Sequence, residues 1–138
     1  MTHMSEHLFV YGTLMSRAVG ARLGKAQRAR LQREATNLGA ATIEGRLYDL
    51  GRYPALSPPA VAGELVHGEV FRLANPTASF KWLDIYENFA PADTDREYDR
   101  VVRSVRLATG EDIDAWVYLY RGQLVEAKRV ADGRWLPK

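Results

Sequence analysis

The segment Leu83-Asp84-Ile85-Tyr86-Glu87 places a carboxylate, Glu87, among apolar neighbours, with Phe89 two residues further on. Water solvates a carboxylate well and an apolar setting does not. Three outcomes are open for such a group. Glu87 could pair with a cation, for which Arg100 and Arg103 are the candidates, or it could reach water at a frayed helix end. Otherwise it stays desolvated and titrates nearer neutral pH, where it can take up and return a proton. A second chemically suggestive stretch is Phe9-Val10-Tyr11-Gly12-Thr13-Leu14. An apolar run that ends in a glycine turn leaves backbone N–H groups directed out of the turn, and glycine lets a ligand come close. Such donors can hold a carboxylate or a developing oxyanion. A plain strand with a glycine turn fits the same residues.

Other chemistry finds little support. His67-Gly68-Glu69 has the His-x-Glu form of zinc deaminases but lacks their Pro-Cys-x-x-Cys partner, so a strand histidine is expected. There is no G-x-S-x-G elbow, Walker A loop or G-x-G-x-x-G. The three histidines, two of them near the N-terminus, give a Ser-His-Asp triad little to work with. With no cysteine, thiolate nucleophiles, disulfides and Cys-based metal sites are all removed.

The elements that must position Glu87 and the glycine turn follow from pattern. His7 to Tyr11 reads as a buried strand. Residues 14–36 carry Arg17, Arg22, Lys25, Arg28, Arg30 and Arg33 before Glu34, which suggests a solvated face with one helical turn, weakened by Gly20 and Gly24. Residues 41–51 and 63–73 read as strands, separated by a crossing at Pro54, Pro58 and Pro59. Asn75-Pro76 starts a helix, with Asn75 as N-cap and Pro76 in the first helical position, running to about Asn88. At about 100° per residue from Phe80, Leu83 falls near 300°, Tyr86 near 240° and Glu87 near 340°, inside one apolar arc. Asp84 lies at the border of the arc. After a polar loop at 89–97, two strands close the chain, 98–107 and 113–120, joined through Thr109-Gly110-Glu111. The last strand is bulky on both faces and is expected to be covered on both, as in a barrel or a sheet with a helix against it, and Tyr118 and Tyr120 could contact substrate if their face looks into the barrel. Trp82 and Trp116 read as core or cavity lining.

The chain has 138 residues, 46% hydrophobic and 26% charged, which suits one soluble domain over 1–138 with a real core. Nineteen Lys+Arg against 17 Asp+Glu leave a formal charge of +2, too little for a dedicated nucleic-acid binder. No stretch is apolar enough for a signal peptide or a membrane span, so a cytoplasmic, non-membrane protein is expected. The two early methionines leave open whether residues 1–3 are native.

Several stretches together resemble the gamma-glutamylcyclotransferase superfamily, including its gamma-glutamylamine cyclotransferase branch and plant avirulence-induced proteins. They are VYGTL at 10–14, GRLYDLGRYPAL at 45–56, GEVFRL at 68–73, LDIYE at 83–87, YDR at 98–100, AWVYLY at 115–120 and DGRW at 132–135. The resemblance implies an α+β fold, a small mixed β-barrel with flanking helices and one cavity. It implies that Tyr11, Gly12, Thr13 and Leu14 bind the gamma-glutamyl part of a small-molecule substrate, that Glu87 is the catalytic acid/base, and that Tyr98 lines the cavity. It implies release of 5-oxoproline from a gamma-glutamyl amine or amino acid, with no cofactor and no metal. A non-catalytic metabolite-binding member of the same fold is the alternative. Members often carry glycine after the catalytic acid where this chain has Asn88. The released amine is chosen by groups on 15–36 and 89–97, and oligomeric state stays open, a homodimer included.

Overall fold

The computed structural model describes residues 5–16, 24–51, 54–87, 98–124 and 127–135. Expectations for Arg17, Arg22, Asn88 and the loop at 89–97 lie outside the described residues. The elements are β1 (His7–Val10), α1 (Lys25–Glu34), β2 (Ala35–Glu44), β3 (Arg46–Asp49), β4 (Pro54–Ser57), β5 (Leu65–Leu73), α2 (Pro76–Tyr86), β6 (Tyr98–Leu107), β7 (Asp112–Tyr120) and β8 (Lys128–Val130). Five strands close into a barrel in the order β1-β5-β2-β6-β7, and β4-β3-β8 form a separate small sheet. All barrel pairs are antiparallel except β1 with β7, which meet in parallel at Leu8 and Trp116. The fold is therefore the mixed α+β barrel with flanking helices that the family resemblance implied.

Several boundaries differ from expectation. The arginine-rich stretch forms a ten-residue helix, α1, rather than one turn. Gly24 does not weaken it but starts it, at φ 80, in a backbone region that side chains rarely adopt. The stretch expected as one strand over 41–51 is two strands in different sheets, parted at Gly45. Its first half begins earlier, at Ala35, and bulges between Asn37 and Gly39. The proline-rich crossing contains a strand, β4, with Pro54 at its first position, where a missing N–H costs the ladder least. A further short strand, β8, follows the two expected to close the chain.

Helix α2 is capped as its sequence predicts: the Asn75 side chain accepts from the Ala78 N–H at 3.2 Å, with Pro76 following. It ends two residues earlier than expected, at Tyr86, and Glu87 is its C-cap, with its N–H on the Leu83 carbonyl at 2.9 Å. The face bearing Phe80 and Leu83 is buried against the barrel. Phe80 meets Trp116 of β7 edge-on at 5.7 Å between ring centroids. Asp84 accepts from Arg100 Nε at 2.8 Å and from the Tyr118 hydroxyl at 2.7 Å. The Arg100 guanidinium lies over both Phe80 and Trp116, at 4.0 and 4.6 Å from their centroids. Tyr118 therefore points at α2 and serves as a strut to it, not into the barrel. The opposite face of β7 supplies Ala115 and Val117, both fully buried, to the core with Phe9, Val66 and Val70.

The Asp84 junction fixes where α2, and so Glu87, sits on the barrel. Asp84→Ala leaves a half-buried guanidinium without its carboxylate and a buried hydroxyl without its acceptor. We expect a loss of about 2–4 kcal/mol in urea unfolding. An unchanged midpoint contradicts a stabilising role for the junction.

Candidate active site

The turn after β1 is held from many sides. Tyr11 is buried, and its hydroxyl donates to the Tyr118 carbonyl at 2.6 Å. The Met15 N–H closes a turn onto the Gly12 carbonyl at 3.1 Å. Thr13 Oγ1 and the Tyr86 hydroxyl are 2.5 Å apart, joining the turn to the last residue of α2. Arg28 Nη1 donates to the Thr13 carbonyl at 2.8 Å. Glu69 on β5 accepts the Ser16 N–H and hydroxyl, both at 2.6 Å. Gly12 is crowded by the Pro54 ring, which would stand 2.7 Å from an added Cβ, so no larger residue fits without displacement.

Through all this clamping, one set of groups is left over. Among the described residues, no hydrogen bond uses the backbone N–H groups of Gly12, Thr13 or Leu14 as donors. All three residues are buried. Backbone donors are nearly always satisfied in folded proteins, so three consecutive N–H groups without a described protein partner are free to meet an acceptor.

Glu87 stands at the same end of the barrel, partly buried. Its charge is felt at three phenols. Burial, then the Glu87 charge, push the Tyr11 hydroxyl well above its usual pKa. Tyr86 is raised chiefly by burial and further by Glu87, with the Thr13 hydrogen bond and Arg28 pulling the other way. Tyr118 is raised by burial first, then by its hydrogen bond to Asp84 and by the charges of Asp84 and Glu87. The Glu87 charge thus acts on the turn after β1, on α2 and on β7, and the Thr13–Tyr86 hydrogen bond joins the first two directly. Of the two cations weighed for Glu87, Arg100 pairs with Asp84, and Arg103 is exposed with Nη1 on the Val102 carbonyl at 2.9 Å.

Tyr98, the first residue of β6, is buried and donates to the Pro54 carbonyl at 2.9 Å, with its ring edge-on to Tyr120 at 5.4 Å. Because Pro54 also covers Gly12, Tyr98 reaches the glycine turn through that proline. The structure thus brings Tyr11, Gly12, Thr13, Leu14 and Glu87 to one end of the barrel, with Tyr98 behind Pro54. Sequence reading missed Arg28, Glu69 and Pro54 as supports of the turn. Arg28 was taken for part of a solvated face, and only its buried position, 5% exposed, distinguishes it from the neighbouring arginines.

A tyrosine whose folded pKa is raised contributes stability that is present below its unfolded pKa of about 10 and lost as pH rises through the folded value. Stability should therefore fall above pH ~10, with Tyr11, Tyr86 and Tyr118 contributing. In Glu87→Gln the folded values drop and the alkaline loss becomes shallower. Melting temperatures between pH 9 and about 11.5 test this, and identical slopes in the two proteins would contradict the placement of Glu87 beside the phenols.

Comparison with known proteins gives a family match over nearly the whole chain. Residues 8–137 fit the model of the family described as gamma-glutamyl cyclotransferase, AIG2-like. Among solved structures, the ytfP protein of Escherichia coli is 30% identical with a TM-score of 0.62, the match covering 94% of this chain and 96% of that one. An AIG2-like protein of Mus musculus is 21% identical with a TM-score of 0.66, over 99% of this chain and 98% of that one, and shares the fold. YkqA of Bacillus subtilis is 20% identical with a TM-score of 0.66, and although 96% of this chain is matched it spans only 40% of YkqA. Among curated proteins no match was found.

Proposed function

Since the chain belongs to the gamma-glutamyl cyclotransferase, AIG2-like family, we propose that it releases 5-oxoproline and a free amine from a gamma-glutamyl amine or gamma-glutamyl amino acid, with Glu87 as the acid/base. The observation that carries this reading is the set of spare N–H groups at Gly12, Thr13 and Leu14, at the end of the barrel where the Glu87 charge acts on Tyr11. An anion or a carbonyl oxygen satisfies those donors, and a carboxylate beside them supplies what such a reaction lacks, a base.

The nucleophile belongs to the substrate. Its α-amine attacks its own side-chain carbonyl carbon, forming the ring C–N bond, and the bond to the departing amine breaks. Both reacting groups sit on one molecule, so holding the chain folded supplies much of the acceleration. An α-ammonium with pKa near ~8 must first lose a proton at neutral pH. Glu87 takes that proton, and the departing amine receives one back from it. The N–H groups of the turn receive the negative charge, either of the substrate carboxylate or of the tetrahedral oxyanion. Tyr11 stays a neutral phenol throughout, because burial and Glu87 both oppose its ionisation. Tyr98 acts more remotely, as a wall behind Pro54. No step calls for a cofactor or metal.

The Asp84 junction to Arg100 and Tyr118 holds the end of α2 by the barrel. That junction sets Glu87 at the C-cap, at the end of the helix nearest the turn. A panel of gamma-glutamyl compounds, assayed for 5-oxoproline, tests the reading together with Glu87→Gln. The wild-type protein should turn over at least one compound, and the mutant should lose roughly 10²–10⁴-fold in kcat while keeping its fold. Binding of 5-oxoproline without any turnover across the panel favours a metabolite-binding member instead.

A further inference from the structure

Arg28 is a charged side chain on the buried side of α1, 5% exposed, in a helix whose other basic residues Lys25, Arg30 and Arg33 are exposed. Taking a guanidinium out of water is costly, so its destination matters. Its Nη1 hydrogen bonds to the carbonyl of Thr13. Thr13 and Leu14 are the two central residues of the turn closed by the Met15 N–H on the Gly12 carbonyl, and Arg28 therefore holds that turn's central peptide.

A trans peptide is planar, with its C=O and N–H pointing in opposite directions. Fixing the Thr13 carbonyl toward Arg28 fixes the Leu14 N–H away from it. The central peptide of a turn is also the one that differs between the two common turn types, by a rotation that exchanges the directions of carbonyl and N–H. In the rotated state a carbonyl oxygen would stand where a donor is needed, repelling an anion. We infer that Arg28 is a positioning residue that, by gripping the Thr13 carbonyl, aims the Leu14 N–H at the ligand and keeps the turn's donors facing the acceptor. The inference rests on the reading of the turn as the substrate's anion or oxyanion site.

The supports around Arg28 favour a fixed anchor over a mobile one. Its own N–H bonds the Gly24 carbonyl at 2.7 Å, in the first turn of α1. Gly24 packs so tightly against Tyr86 and Thr13 that an added Cβ would stand 2.5 Å from the Tyr86 hydroxyl and 3.2 Å from Thr13. The start of α1, the end of α2 and the turn are thus locked in one contact. An arginine there brings its guanidinium from a helix that is itself wedged in place. Lysine keeps the charge but is shorter in reach and lacks the planar fork.

The test uses 15N-labelled protein with two probes, L-5-oxoproline and glutarate, the latter a simple dicarboxylate. In the wild type, saturation with either probe should move the Leu14 amide proton resonance downfield. In Arg28→Met, affinity should fall at least about tenfold, the loss expected when charge-assisted positioning of a donor is removed, and the Leu14 response should shrink with it. Arg28→Lys, if Arg28→Met does not fold, should keep the melting temperature within a few degrees while KM rises and the Leu14 response weakens. A wild-type Leu14 amide that ignores both probes overturns the inference, as does wild-type affinity in a folded Arg28 variant. Failure of the functional reading looks different. There the Leu14 amide responds to glutarate in an Arg28-dependent way, yet no gamma-glutamyl compound is turned over.

Discussion

The turn that follows the first strand has to be rigid and unsatisfied at once, and most of the site can be understood from that requirement. Backbone donors buried without partners cost free energy, so a chain left to itself would fold them onto some nearby carbonyl. Here several neighbouring groups of the turn are taken. The Tyr11 hydroxyl is spent on Tyr118, the Thr13 side chain on Tyr86, the Thr13 carbonyl on Arg28, the Gly12 carbonyl on Met15, and Ser16 on Glu69. The turn is anchored to β7, α2, α1 and β5, and cannot relax to satisfy its own N–H groups. Preorganised donors of this kind need no rearrangement when negative charge develops beside them.

Helix α2 brings a carboxylate to the same end of the barrel. Its cap at Asn75 fixes where the helix begins, and the Asp84 junction to Arg100 and Tyr118 fixes its roll against the barrel. Two acids three residues apart thus divide the work. Asp84 is spent on structure, and Glu87, at the helix end, is set among phenols whose ionisation it suppresses. The wheel placed Glu87 in an apolar arc, and the residue is partly buried. The wheel ran one position too far, because the helix ends at Tyr86 and Glu87 takes the C-cap.

The barrel itself follows from strands whose two faces are both covered. On β7, Ala115 and Val117 enter the core while Trp116 and Tyr118 lie under α2, which explains why neither face is polar. The sequence showed that both faces are bulky and left open which of them looks inward. The same limit applies to β2 and β3. A continuous strand pattern over 41–51 contains the bend at Gly45, but only the pairing partners, β5 and β6 on one side and β4 and β8 on the other, reveal that the chain changes sheet there.

Local chemistry written in the chain was enough for the capped start of α2 and the glycine turn after β1, because each depends on residues near one another in sequence, while the barrel class came from the family resemblance. Periodicity, caps and turn residues act over a few positions. Which arginine is buried, which acid is spent on an ion pair and which backbone donors stay empty depend on partners far along the chain. Arg28 reads like its neighbours until Thr13 is brought against it, and Asp84 reads as a border residue of α2 until β6 delivers Arg100 to it. Burial and pairing are properties of the closed barrel, and no stretch of sequence holds them by itself.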